Sequence, residues 1–152
     1  MHSMTVAEMI VVAWCLVVAM SDLHARRIPN MLTLGMCGIA FCWLLLTGHS
    51  MLNATLQSTA IGAAISLLLT LPAYAARLLG AADAKLLLAI ALVAGSDLTL
   101  FSFVIAALLA ALLGMAYLLI AWLRSRPFTG NRWLPFGAAL GVGLLCAIGI
   151  TN

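Results

Sequence analysis

The chain has 152 residues, 66% of them hydrophobic and 7% charged, with a net charge of +3 and a mean hydropathy of +1.22. These proportions exclude a water-soluble globule and describe an integral membrane protein of one modest domain, residues 1–152. An unpaired backbone amide in lipid costs several kcal/mol, so spans must be helices or closed barrels, and uninterrupted apolar runs without period-two alternation select helices.

In chain order, the first expected span is Met4 to Met20. It has no basic residue ahead of its apolar stretch, so it reads as a structural helix rather than a cleaved secretory signal. The next are Met31 to Thr47, about Leu56 to Ala76, Ala84 to Gly95, Leu98 to Leu123 and Leu134 to Ile150, separated by short loops rich in Gly, Ser, Asn and Pro. The expectation is therefore an all-α integral membrane protein, a single bundle of six transmembrane helices. No internal repeat or long linker divides it, and its Ala and Gly content suits close helix contacts. With six spans, Arg26, Arg27, Arg77, Lys85, Arg124, Arg126 and Arg132 all fall on one face. The positive-inside rule makes that face cytoplasmic and places both termini on the extracytoplasmic side.

The fourth span is short, because a helix from Asp83 to Gly95 covers only roughly 20 Å against a hydrocarbon thickness of about 30 Å. Irregular backbone from Leu78 to Ala82, lining a wet cavity, would make up the difference and set Asp83 below the surface. Gly80 suits such a stretch, since glycine lets backbone turn sharply or approach another group closely.

Asp22, in SDLHARRIPN, and Asp83, in GAADAKLLLA, are two of only four acidic residues. Carboxylates beside hydrocarbon are costly, and catalysis or ion movement is the default explanation. Each also has a plain structural reading: Asp22 is four residues before Arg26, an ordinary helix ion pair, and Asp83 can cap the helix that follows it. If the two lie within hydrogen-bond reach, one keeps a proton while the other draws a proton from a water between them. That is aspartyl-protease chemistry, and it requires no metal or cofactor.

Asp22 followed by RRIPN, then GAADAKLL around Asp83, then LPFGAALGVG from Leu134 stand in the order found in type IV prepilin peptidases, which the chain resembles over nearly its whole length. The resemblance implies a membrane aspartyl endopeptidase whose catalytic pair is Asp22 and Asp83, the latter from the family's GxGD motif. Ala82 stands where that motif has its second glycine. A methyl group there is tolerated at negative φ and strained at positive φ. The last motif lacks the second proline that often follows PFG, so Pro135, Phe136 and Gly137 read as structural supports.

Larger members of that family resemble fusions with a cytoplasmic region carrying CxxC pairs and N-methyltransferase activity. Cys15, Cys37, Cys42 and Cys146 lie in apolar spans without that spacing and read as small buried hydrophobes rather than metal ligands or disulfides. The chain is thus similar to the short, peptidase-only forms of Flp-type tight-adherence pilus systems. The implied substrate is a prepilin or pseudopilin cleaved at the cytoplasmic boundary of a bacterial inner membrane. No nucleic-acid partner is expected, and self-association into a homo-oligomer stays open.

Among the supporting residues, Arg26 and Arg27 read as anchors to anionic lipid. Pro29 restrains an extended step into the second helix, and Asn30 is its expected cap. Lys85 either snorkels to the interface or biases which aspartate holds the proton. His24 reads as solvated loop, Asp97 as the cap of the fifth helix, and Glu8 as solvated near the outer end of the first. Two rival functions remain: a small proton-linked transporter or channel using paired carboxylates, and a catalytically silent pilus-assembly partner.

Overall fold

The computed structural model describes residues 5–25, 28–77, 79–123 and 136–151. Arg26, Arg27, Leu78, Leu134 and Pro135 lie outside these residues, as do Arg124, Arg126 and Arg132 of the expected basic loops. The described chain forms five helices: α1 (Val6–Ala25), α2 (Asn30–Thr47), α3 (Leu56–Ala75), α4 (Ala81–Leu123) and α5 (Phe136–Thr151). The first four are long and apolar enough to cross a membrane, and Phe136–Ile150 is a shorter apolar helix.

The 43-residue α4 is two helices that meet at Gly95, with φ 78° and ψ −174°, so the fourth expected span ends where expected but runs into the fifth without a loop. Only glycine takes that conformation without strain. A Cβ at Gly95 would also stand 2.5 Å from the Ala54 Cβ and 2.8 Å from the Ser58 Oγ. The broken turn is closed from α3, since Ser58 Oγ accepts the Ser96 amide at 3.1 Å and pairs with Ser96 Oγ at 3.0 Å. Asp97, expected to cap the helix after the break, instead accepts from Ser96 Oγ and lies exposed.

The stretch of α4 before Gly95 is the centre of the molecule. Leu86, Leu87, Ala89, Ile90, Ala91, Val93 and Ala94 are all at most 3% exposed. Of the stretch expected to be irregular, Leu79 and Gly80 lie outside any helix, and Leu78 falls outside the described residues. Ala81 and Ala82 are in fact helical.

Small residues allow this close packing. The buried face of α3 is Thr59, Gly62, Ser66 and Thr70, and each of its hydroxyls bonds a carbonyl three or four residues back, leaving none unsatisfied. At Gly62 the α3 backbone approaches Gly95 and Ser96 so closely that a Cβ would stand 3.0 Å from their backbone atoms. Gly143 of α5 lies likewise against Ser102, whose hydroxyl bonds the Leu140 carbonyl at 3.0 Å.

α1 begins with a reciprocal cap not foreseen from sequence. The Thr5 amide donates to Glu8 Oε2 at 2.7 Å, and the Glu8 amide donates to Thr5 Oγ1 at 3.3 Å, so Glu8 is a capping residue rather than merely solvated. Thr5→Ala is expected to cost about 1 kcal/mol of stability, read as a lower thermal unfolding midpoint in detergent. Cys15 is buried and Cys37 half-buried, but Cys42 and Cys146 are exposed on their helices, correcting their reading as buried.

Candidate active site

The inward face of α1 is drawn by Val11, Cys15, Val18 and Asp22, spaced four, three and four residues apart, all buried. α1 continues to Ala25, so Asp22 is inside its last turn rather than beyond its end. At 7% exposure its carboxylate needs a partner. Oδ2 accepts the amide of Ala138 at 2.7 Å. Ala138 is in the first turn of α5, where helix amides lack intrahelical acceptors and the helix dipole favours negative charge. Asp22 therefore caps a helix more than a hundred residues away in sequence, and it does so from the bundle interior.

Gly137 makes this approach possible. A Cβ there would lie 3.1 Å from Asp22 Oδ2 and would collide with Ile28 Cδ1. Ile28, buried at 7% exposure, forms an apolar wall beside the carboxylate. Ala138 was not singled out in the sequence, and Ile28 was read there only as part of the extended step into α2. The signal for Ile28 was an apolar residue within an otherwise basic loop.

Asp83 is half-buried in the first turn of α4. The Gly80 carbonyl accepts the Ala84 amide at 3.2 Å, which makes Gly80 the residue that starts the helix and Asp83 its third residue rather than its cap. From that position a carboxylate folds back over the helix start, and a Cβ on Gly80 would stand 2.9 Å from Asp83 Oδ2. Each aspartate thus lies against a glycine. Ala82 is helical, and the non-glycine residues with positive φ among those described are Asn53 and Arg77, so the methyl group in place of the motif's second glycine meets no backbone strain.

Two further residues take roles other than those expected. The cap of α2 is Pro29, in extended geometry at φ −58° and ψ 137° without a side-chain bond, and Asn30 is the first helical residue. Asn30 Oδ1 instead accepts from Lys85 Nζ at 3.1 Å. His24 is exposed as expected, but on the last turn of α1 rather than in a loop.

The last turn of α1 and the first turns of α2, α4 and α5 therefore share one end of the bundle, through the Asp22–Ala138 and Asn30–Lys85 bonds. The capped start of α1 is at the other end, where Thr5, Val6 and Ala7 line a hollow with Trp43, Thr47, His49, Met51 and Asn53. At the shared end, Ile28 belongs to the surroundings of Asp22, and Asn30 to those of the Asp83 helix. Only Pro29 stands between them, and those two steps along the chain span at most about 7 Å.

Beside this end, the chain leaving α3 turns at Arg77, with φ 59°, whose amide bonds the Tyr74 carbonyl at 2.9 Å. Tyr74, Ala75, Arg77 and Leu79 line an open hollow of about 390 Å³ next to Gly80.

Comparison with family models matches residues 9–115 to the type IV leader peptidase family. The match includes both aspartates, Gly80, Asn30 and Lys85, and stops short of α5. Neither the curated proteins nor the solved structures gave a match.

Proposed function

The chain belongs to the type IV leader peptidase family and is a multi-pass membrane peptidase, and from that premise we propose that it is an aspartyl endopeptidase removing the leader of type IV prepilins or pseudopilins. Asp22 and Asp83 are its catalytic pair. The observation that carries the proposal is that these two carboxylates occupy one end of the bundle, each against a glycine, in segments stitched together by the Ile28 to Asn30 step.

In the proposed reaction a water lies between the two carboxyl groups. One, ionised, takes a proton from the water as its oxygen attacks the scissile carbonyl carbon. The other, protonated, gives its proton to the developing oxyanion. Return of a proton to the peptide nitrogen then breaks the C–N bond and releases the leader. The bond to Ala138 holds one Asp22 oxygen and leaves the other for this water.

The proposed setting is a bundle crossing the membrane six times, with Gly95 as a turn between the fourth and fifth crossings. Both termini are extracytoplasmic, and the aspartates sit at the cytoplasmic boundary of a bacterial inner membrane. A prepilin has a short polar leader ahead of an apolar helix, so its scissile bond reaches that boundary once the helix docks against the bundle. Gly80 and the stretch leading to Ala82 give the extended leader its slot. Substrates of the Flp type are the ones this reading favours, and Arg26 and Arg27 would hold the loop to anionic lipid.

The test is co-expression with a panel of prepilins, scored by the mobility shift that accompanies leader loss. The natural chain is expected to process at least one of them, and Asp83→Asn to process none while remaining in the membrane. Normal processing by Asp83→Asn would remove Asp83 from the pair. A panel left intact by the natural chain would favour the silent assembly partner.

A further inference from the structure

Lys85 is two residues after Asp83, and at about 100° per residue it projects some 200° around the helix from it. The two side chains therefore leave opposite sides of α4, and closeness in sequence does not place the ammonium on the carboxylate. Lys85 is turned toward α2. Its Nζ donates to Asn30 Oδ1 at 3.1 Å, and its carbonyl accepts from Cys37 Sγ at 4.0 Å. Asn30 and Cys37 are seven residues apart on α2, and so share one face of that helix.

We propose that Asn30 is a positioning residue of the peptidase: by holding the Lys85 ammonium against the start of α2, it sets the rotation of α4 about its own axis and directs Asp83 toward Asp22. This inference rests on the aspartyl-peptidase reading above. The anchor is well placed for the task, because Pro29 fixes the backbone immediately before Asn30, and Ile28, one residue further back, packs at Gly137 beside the Asp22 carboxylate. One short segment thus touches the surroundings of Asp22 and the helix that carries Asp83. A lysine that merely snorkelled to the interface would need no such partner, and replacing Asn30 would then change nothing.

Asn30→Ala and Lys85→Met are each expected to lower kcat for leader removal by roughly 10- to 100-fold, the cost of a misplaced catalytic group, with KM little changed. The double variant should be no worse than the poorer single, because both changes break the same contact. Asn30→Asp, which keeps an acceptor for the ammonium, should recover most of the rate.

A readout independent of activity is oxidative cross-linking of Asp22→Cys with Asp83→Cys, in a chain carrying Cys15→Ala, Cys37→Ser, Cys42→Ala and Cys146→Ala. The pair should form a disulfide, and adding Asn30→Ala should lower its yield several-fold. Unchanged kcat in Asn30→Ala, or a cross-link that forms equally well without Asn30, overturns the clamp, as does a parent pair that never cross-links. A cross-link that depends on Asn30 in a chain whose natural form cleaves no prepilin upholds the clamp and overturns the peptidase reading alone.

Discussion

Asp22→Asn should abolish leader removal and leave the fold intact, whereas Asp22→Ala should damage both. The distinction follows from the two tasks assigned to one side chain. As a cap, Asp22 must accept the Ala138 amide at 2.7 Å, and the carbonyl oxygen of asparagine can do the same with nearly the same shape. As a catalytic acid or base it must exchange a proton with water, which an amide cannot do. Loss of general acid–base catalysis lowers rates by about 10²–10⁴-fold, enough to erase processing in a co-expression assay. Alanine does neither task, and an amide donor left unpaired in a buried site costs about 1–3 kcal/mol. Thermal unfolding in detergent should therefore separate the two variants, while leader cleavage should fail in both. Full processing by Asp22→Asn would reduce Asp22 to the cap of α5 and remove it from the chemistry.

The order of the elements was legible because the apolar runs are closed by turn residues, and the fourth span, expected to end at Gly95, ends where α4 breaks. What each helix faces was not legible. A soluble helix shows its buried side by contrast with a polar one, but lipid is as apolar as protein interior, and α1 and α2 are hydrophobic all round. The inward stripe of Val11, Cys15, Val18 and Asp22 has no polar counterpart to set it off. The same holds for Cys42 and Cys146, whose apolar surroundings in sequence turned out to include an exposed helix surface.

At the site, the two carboxylates and Gly80 stood out by composition and motif. Their partners did not, because those partners come from far along the chain: Ala138 for Asp22, and Asn30 for Lys85. Asn30 illustrates the limit. Its position after Pro29 fits a helix cap, a local role that sequence can suggest, but a residue 55 positions away claims its side chain.

Gly137→Ala should impair both stability and cleavage, while Gly80→Ala should impair cleavage with little change in stability. Both substitutions put a methyl group against one of the two carboxylates proposed to be catalytic, yet the neighbours differ in how freely they can yield. At Gly80 the obstacle is the Asp83 Oδ2, 2.9 Å from the new carbon. That oxygen is the far end of a half-buried side chain, so the carboxyl group swings aside and the helix survives. In the proposed reaction the displaced acid would no longer face the attacking water, and a shift of about 1 Å in a reacting group can cost 10²-fold in rate.

At Gly137 the methyl group meets Ile28 Cδ1 and, at 3.1 Å, an Asp22 oxygen already tied to Ala138. Neither moves without disturbing a buried contact, and overpacking of this kind costs about 1–3 kcal/mol. Shortening the wall with Ile28→Ala in the Gly137→Ala chain should restore much of the stability. It should restore less of the rate, because the methyl group still crowds the carboxylate. Gly38→Ala on α2 provides the control, since a Cβ there meets nothing within 4 Å. It should cleave and unfold like the natural chain. Equal losses in Gly38→Ala and Gly80→Ala would mean that helix glycines matter here for backbone freedom rather than for the room they leave beside each acid.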